Sequence, residues 1–159
     1  MNIRPFRKGD TQAVVALIEE FLGYAEKNYS KNVKRFNQCV DKRKYAQHIL
    51  QSFLNNKAKM LVAVDDEVKG YIAGKAEKNP HMHKSGHVIS FFVTKQYRNK
   101  GMGRLLFTKL CDWFRTQNCY QLELDIFEGN DDAKRMYKRW GFKEISTKMK
   151  IRIKQLTSH

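Results

Sequence analysis

The sequence has few of the features that are typical of secreted or membrane proteins. Only three of its 159 residues are cysteines and two are prolines. Cys39, Cys111 and Cys119 are odd in number, widely spaced and outside metal-ligand patterns, so we expect reduced thiols rather than a disulfide framework. No stretch resembles a signal peptide, and no apolar run is long enough to span a bilayer. We therefore expect a soluble, cytoplasmic protein that does not associate with membranes.

Segments that would divide the chain are also missing. The sequence shows no linker rich in Gly, Ser or Pro, no internal repeat and no low-complexity tail. A length of 159 residues suffices for one domain with a substantial core. The sequence therefore predicts a single domain over residues 1–159, and leaves open whether the protein is a monomer or a homodimer.

Acidic residues are scarce. The chain has 31 Lys and Arg against 16 Asp and Glu, which gives a formal net charge of +15. Such an excess attracts anions, including nucleic acids, acidic surfaces and phosphate-bearing cofactors, without choosing among them. Residues 27–44 contain seven of the basic side chains and one acid, Asp41. A solvated basic surface is the simplest interpretation of that segment.

The apolar residues follow helix and strand periods, and their order defines the fold class. The pattern β–α–α–β–β–β–α–β–α–β predicts an α/β or α+β domain around a mixed sheet. The final strand is predicted because Met149, Ile151 and Ile153 alternate with basic residues. Predicted helices cover residues 11–24, 42–54, 101–117 and 130–141, and predicted strands cover residues 2–6, 60–64, 68–73, 87–93, 120–127 and 148–154.

The stretch from Phe91 to Arg104 predicts an anion-binding site. Phe91, Phe92 and Val93 are strand formers, and Gly101 and Gly103 precede a helix with an apolar stripe. The first N–H groups of a helix lack intrahelical acceptors, and glycine lets the backbone approach a ligand closely. We therefore expect a phosphorylated ligand at this turn.

Three histidines near the predicted central strand raise the question of a metal site. His81, His83 and His87 lie close together in the sequence. A zinc or copper site would need further ligands in a defined geometry, and the sequence shows none. We therefore predict that the protein uses no metal.

Two segments carry a resemblance to a known family. Residues 98–103, Arg-Asn-Lys-Gly-Met-Gly, follow a strand and resemble the first signature of the GNAT N-acetyltransferase superfamily, Q/R-x-x-G-x-G/A. Asn130, Ala133, Tyr137, Gly141 and Phe142 resemble its second signature, and both occur in order at a similar separation.

The resemblance implies a mostly antiparallel mixed sheet, about four flanking helices, and a splay between the two central strands. It also implies that acetyl-CoA is the co-substrate, with its pantetheine arm along the central strand and its pyrophosphate at the turn. The cofactor-binding residues would be Phe91, Phe92, Val93, Arg98, Asn99, Lys100, Gly101, Met102, Gly103, Arg104, Asn130, Ala133 and Tyr137.

The chemistry implied by the resemblance is direct transfer of the acetyl group to a primary amine. Tyr137 would be the general acid for the departing sulfur, and a backbone N–H near Val93 would polarise the carbonyl. Many family members carry a carboxylate just before the Phe-Val pair, where this chain has Val88, Ile89 and Ser90. The candidate bases are Glu123 or Asp125, with His87, Glu20, Tyr24 or a water chain as alternatives.

The acceptor is predicted from charge. In the family it is held by the connection between the first two helices and the loop before the central strand, which correspond here to the basic residues 27–44 and 75–87. We expect a small-molecule or peptide amine that is anionic or neutral rather than polycationic. Two other functions stay open: a nucleic-acid- or ribosome-associated module on this scaffold, and a non-catalytic acyl-CoA sensor.

Overall fold

A five-stranded sheet forms the centre of the fold. The computed structural model describes residues 2–37, 41–53, 58–78 and 83–151. The strands are β1 Asn2–Pro5, β2 Ala58–Asp65, β3 Glu67–Lys78, β4 Lys84–Val93 and β5 Gln121–Leu124. The helices are α1 Thr11–Asn28, α2 Lys31–Asn37, α3 Lys42–Phe53, α4 Met102–Thr116 and α5 Asp131–Arg139.

The strands lie in the order β1-β2-β3-β4-β5. All neighbours are antiparallel except β4 and β5, which are parallel. The β4–β5 ladder ends where Val88 pairs with Leu124, although β4 continues to Val93. The β3–β4 register shifts between Ala73, which pairs with Ser90, and Gly74, which pairs with Val88. This irregularity of β4 therefore lies next to the end of the β4–β5 ladder. Among the described residues, no strand therefore pairs with the last five residues of β4 on the β5 side.

Helices cover both faces of the sheet. Two clusters of buried apolar residues fill the space between the helices and the sheet. The first contains the buried stripe of α4, whose members are Met102, Leu106, Leu110 and Phe114. The second cluster packs α1 and α3 on the opposite face through Val14, Ile18, Ala46 and Ile49. Gly86 lets α4 approach closely, because a Cβ there would lie 2.7 Å from a ring carbon of Phe114. Each face therefore has its own apolar core.

The predicted fold class is confirmed: the sheet is mixed and mostly antiparallel, and helices flank it. Two details of the helices were wrong. The first helix continues past Gly23 to Asn28, and α2 occupies part of the segment that was read as a connection. A Cβ at Gly23 would meet nothing within 4 Å, so this glycine faces open space and does not interrupt packing. Good helix formers follow it, which extends the helix.

The predicted last strand was wrong over residues 148–151, the part of it that the structure describes, because these residues form no strand. Met149 and Ile151 are 90% and 58% exposed. Alternation selects a face, but a strand also needs a hydrogen-bonded neighbour, and these residues have no ladder partner within the described ranges. Ile153 and the basic residues Arg152 and Lys154 lie outside the described residues.

Other predictions were partly met. The strand predicted over residues 120–127 is only Gln121–Leu124. Cys111 and Cys119 are free, and burial raises the pKa of both thiols. Cys39, Leu54 and His81 lie outside the described residues. In the part of the chain that the structure covers, no helix has the length and apolar composition to cross a bilayer.

Asp10 anchors the first strand to the start of α1. Its carboxylate is 8% exposed and accepts hydrogen bonds from Arg4 Nη1 at 2.6 Å, Arg4 Nη2 at 2.8 Å and the Arg7 amide at 2.8 Å. The hydrogen bonds from Arg4 hold the pKa of Asp10 below its usual range. This contribution to stability is present above the unfolded-state pKa of about 3.9 and is lost as pH falls below it.

We therefore expect Asp10→Asn to lower the free energy of unfolding at pH 7 by about 2 kcal/mol, because the amide cannot accept both guanidinium hydrogen bonds. Asp112→Asn is the matched control, since Asp112 pairs with Arg115 on the surface, where ion pairs contribute at most about 1 kcal/mol. Urea unfolding measures both. Equal midpoints for Asp10→Asn and the wild-type chain would show that this anchor does not stabilise the fold.

Candidate active site

The turn between β4 and α4 presents an uncapped helix N-terminus. Gly101 precedes the helix in the left-handed region, with φ of 82°, and no side chain caps this end. Asn99 is also left-handed, with φ of 59°. Two such residues let the chain reverse sharply at the end of β4. The first-turn amides of α4 therefore keep their hydrogen-bonding capacity for a ligand.

Gly103 brings this helix start against β4. A Cβ at Gly103 would lie 3.1 Å from Cζ of Phe91, closer than most side chains tolerate. Met102 is completely buried, which anchors the helix start in the core. The turn thus offers a backbone surface of the kind that phosphate groups bind.

The three basic side chains of the turn have different surroundings. The Arg98 guanidinium lies 5.1 Å from the ring centroids of both Tyr24 and Phe92, and its Nε donates to the Val93 carbonyl at 2.9 Å. This side chain therefore joins α1 to the end of β4. Lys100 lies over Tyr97 at 5.8 Å, and the Arg104 guanidinium lies over Trp140 at 5.2 Å. Both are exposed residues beside the helix start.

Asn130 is the N-cap of α5. Its Oδ1 accepts from the Ala133 amide at 3.3 Å, so that amide is already engaged. Its Nδ2 donates to the Tyr29 hydroxyl at 3.0 Å. Asn130 thus fixes the start of α5 and, at the same time, connects it to the end of α1.

Tyr137 lies two turns further along α5 and is 7% exposed. Its ring packs against Phe107, Trp140 and Phe142 at centroid distances of 6.5, 5.6 and 5.4 Å. Burial raises the pKa of Tyr137, so the hydroxyl keeps its proton at neutral pH. Across the described ranges no group hydrogen-bonds to this hydroxyl. It is therefore a protonated donor whose hydrogen-bonding capacity is unused.

Tyr29 belongs to the same region and was missed by sequence reasoning. It is 4% exposed, and burial raises its pKa to about 12. Its ring contacts Phe127 at 5.7 Å. Because its hydroxyl accepts from Asn130, the remaining O–H is available to donate. No local pattern around Tyr29 indicates a contact with a residue about one hundred positions away.

The candidate bases divide into two groups. His87 pairs with Glu123 in the β4–β5 ladder, and His87 Nε2 lies 4.0 Å from Asp125 Oδ2. These three therefore lie together at the end of the ladder. By contrast, Glu20 is exposed on α1, and the Tyr24 ring lies against Arg98 with its hydroxyl 3.5 Å from Asp132.

A polar cavity of about 220 Å³ lies between the end of α1 and the start of α5. Two carboxylates face it, and one of them, Asp132, forms an ion pair with Arg135. The lining residues are Tyr24, Asn28, Gly129, Asn130, Asp131, Asp132 and Arg135.

The histidines that raised the question of a metal site do not share one environment. His83 lies 5.5 Å from the Tyr120 ring, and His87 lies beside Asp125. His81 lies outside the described residues. Within the described ranges no three His, Cys, Asp or Glu residues form a group that could hold a metal ion.

A family model identifies the class of protein to which this fold and turn belong. The model of the Acetyltransferase (GNAT) family matches residues 14–142. The chain belongs to this family, as the two signature segments predicted.

Relatives and solved structures agree with this assignment. An N-alpha-acetyltransferase of Sulfurisphaera tokodaii is 36% identical over 90 residues, covering 52% of this chain and 54% of that protein. A Bacillus subtilis subsp. natto protein named "Probable spermine N(1)-acetyltransferase" is 37% identical over 63 residues, covering 38% of this chain and 41% of the relative. The chain thus spans about half the length, or less, of these curated relatives.

Among solved structures, a ribosomal-protein-alanine N-acetyltransferase from Brucella melitensis biovar Abortus 2308 superposes with a TM-score of 0.72. The match covers 96% of this chain and 100% of the other at 19% sequence identity. At that identity the likeness shows the fold alone.

Proposed function

We propose that this chain is an N-acetyltransferase, a single domain over residues 1–159 that moves an acetyl group from acetyl-CoA directly to a primary amine. The observation that carries the proposal is the uncapped start of α4 beside the open part of β4, with the buried, protonated Tyr137 packed against α4. In this proposal an anion-binding turn, a strand edge without a partner among the described residues and a proton donor lie in one region.

The residues of the turn fit a pyrophosphate. The amides of Met102, Gly103 and Arg104 lie in the first turn of an uncapped helix, where the macrodipole adds partial positive charge. Asn99, Gly101 and the exposed Lys100 and Arg104 side chains complete the anion site. Acetyl-CoA supplies the thioester whose carbonyl carbon receives the amine.

The unpaired edge of β4 fits an extended arm. Phe91, Phe92 and Val93 lie beyond the end of the β4–β5 ladder, so their backbone groups on that side have no strand partner among the described residues. Pantetheine carries amide groups that can hydrogen-bond to such an edge. Arg98 fixes the end of this edge by donating a hydrogen bond to the Val93 carbonyl. Asn130 and Ala133 fix the start of α5 through the hydrogen bond between them.

The proton that the leaving sulfur requires comes from Tyr137 in this proposal. A buried tyrosine with a raised pKa stays protonated and can donate when a thiolate forms. A backbone N–H on the open part of β4 polarises the thioester carbonyl. The base is one of the side chains at the end of the β4–β5 ladder, where Glu123, Asp125 and His87 lie together.

The acceptor is an anionic or neutral amine in this proposal. Lys27, Lys31 and Lys34 lie at the end of α1 and on α2, and the side chain of Lys34 donates to the Lys27 carbonyl at 3.3 Å. These cations attract an acceptor that carries a phosphate or carboxylate. A cationic amine is the second candidate, because Asp131 and Asp132 line the cavity between α1 and α5.

A thiol-release assay with acetyl-CoA tests the function and the acceptor class together. The panel contains glucosamine 6-phosphate, an acidic peptide with a free N-terminus, and spermine. We expect release with at least one amine and the highest kcat/KM for an anionic acceptor. Highest kcat/KM for spermine would reverse the acceptor assignment and leave the transfer intact.

Two further outcomes would replace the proposed function. Acetyl-CoA binding without thiol release from any acceptor would identify an acyl-CoA sensor. RNA binding that weakens steeply with salt, without acetyl-CoA binding, would identify a nucleic-acid-associated module.

A further inference from the structure

We propose that His87 is the general base of the transfer and that Asp125 orients its imidazole, an assignment that depends on the acetyl transfer proposed above. Imidazole is the side chain that most readily accepts and returns a proton near neutral pH. The carboxylate that many family members carry before the Phe-Val pair is absent here. The position of His87 in the sheet supplies a replacement.

Strand register places His87 at the opening of the sheet. In the parallel β4–β5 ladder His87 pairs with Glu123, and the ladder ends at the next pair, Val88 and Leu124. Val88 and Leu124 belong to the core under α4, so the alternating residues His87 and Glu123 lie on the opposite face. His87 is therefore the last residue of that face before the two strands separate.

Asp125 is the carboxylate within reach of the imidazole. Its Oδ2 lies 4.0 Å from His87 Nε2, which is within ion-pair distance but longer than a hydrogen bond. The His87 side chain is 27% exposed and that of Asp125 is 75% exposed. The pair therefore combines a half-buried base with a solvent-facing carboxylate through which a proton can leave.

The neighbouring charged groups are already paired. Glu123 Oε1 accepts from Gln121 Nε2 at 2.6 Å, which leaves Asp125 as the partner of His87. On the other side, β3 places Lys75 opposite His87, and Lys75 Nζ forms an ion pair with Glu77 at 2.9 Å. Asp125 is thus the carboxylate within ion-pair distance of the imidazole among the described residues.

The proposed transfer forms one bond, breaks one bond and moves two protons. The amine nitrogen forms the C–N bond to the acetyl carbon, and the C–S bond breaks. With Nε2–H directed at Asp125, His87 Nδ1 takes the proton lost by the nitrogen, while Tyr137 donates its proton to the departing thiolate. Exchange with solvent then deprotonates His87 and reprotonates Tyr137.

The test compares His87→Gln with His83→Gln, the same change four residues earlier. Acetyl-CoA and the three panel amines are the probes, and kcat/KM is measured from pH 5.5 to 9, a window chosen around the usual titration range of histidine. We expect His87→Gln to lower kcat/KM about 100-fold and to remove the fall in rate on the acidic side. Acetyl-CoA affinity should not change, and His83→Gln should behave as the wild-type chain.

Asp125→Asn tests the positioning role, with Asp112→Asn on the surface of α4 as its control. Without the carboxylate the imidazole loses its orientation, so kcat should fall about tenfold while the KM for acetyl-CoA stays unchanged. Asp125→Glu keeps the carboxylate and should restore part of the lost rate, and Asp112→Asn should behave as the wild-type chain.

The outcomes separate the two proposals. Wild-type transfer with an unchanged pH profile in His87→Gln would overturn the assignment of the base alone. Wild-type kcat in Asp125→Asn would overturn the role of Asp125. No thiol release by the wild-type chain with any amine would overturn the acetyl transfer, and the base assignment with it.

Discussion

Replacing Tyr137 with phenylalanine should lower kcat about 100-fold while the Kd for acetyl-CoA changes less than about threefold. The ring is held by Phe107, Trp140 and Phe142, and phenylalanine keeps those contacts. Only the hydroxyl is lost, and in the described residues it hydrogen-bonds to nothing. The substitution therefore removes a proton donor without disturbing the packing of α5. Steady-state kinetics and isothermal titration calorimetry measure the two quantities.

Tyr120→Phe is the control for this experiment. Tyr120 is 79% exposed, so removing its hydroxyl tests the chemical change without the buried site. We expect wild-type kcat from this variant. Wild-type kcat from Tyr137→Phe would remove the hydroxyl from the mechanism and leave Tyr29, the buried hydroxyl bound by Asn130, as the next candidate.

Gly103→Val should weaken acetyl-CoA binding about 100-fold. A Cβ at this position would already lie 3.1 Å from Phe91, and valine adds two methyl groups. The Phe91 ring or the start of α4 must then shift, and a shift of the helix start disturbs the amides that would hold the pyrophosphate in the proposed function. Losing about two hydrogen bonds to a charged group, each contributing about 1.5 kcal/mol, corresponds to a hundredfold change in Kd.

Gly23→Val provides the matched control, since it places the same side chain in a helix where a Cβ would meet nothing within 4 Å. Calorimetry of both variants with acetyl-CoA should show a large loss of affinity for Gly103→Val only. Urea unfolding of both confirms that each variant is folded. Unchanged affinity in a folded Gly103→Val protein would mean that the cofactor does not use this turn.

Local sequence signals predicted the parts of the fold and site that depend on neighbouring residues. The glycines of the turn and the apolar stripe of α4 are both encoded within a few residues. Their structures follow from backbone freedom and period, which do not depend on distant contacts. The two family signatures then connected the separate segments into one predicted fold.

Contacts between distant segments could not be predicted in this way. The hydrogen bond from Asn130 to Tyr29 and the approach of Asp125 to His87 depend on strand register and helix placement. The sequence offered His87, Glu123 and Asp125 as alternatives, whereas the ladder places them together. Arg98 was predicted at the anion site, but the rings of Tyr24 and Phe92 position its guanidinium against the end of α1.

The predicted last strand is a case in which a local signal was present but no strand formed. Alternation of Met149 and Ile151 is a real local signal, yet it states only which side chains would share a face. Whether a strand forms depends on a neighbour that offers free backbone groups. Among the described residues β5 is the edge beside β4, and residues 142–151 do not pair with it.

The most direct test of the proposed function follows the acetyl group itself. The wild-type chain is incubated with acetyl-CoA labelled with carbon-13 in the acetyl group and with the panel amines, and the products are analysed by mass spectrometry. Direct transfer predicts the label on the amine nitrogen, an equal amount of free coenzyme A, and no label on the protein. Acetyl-CoA that stays intact with every amine, or label that accumulates on the protein, would contradict the account.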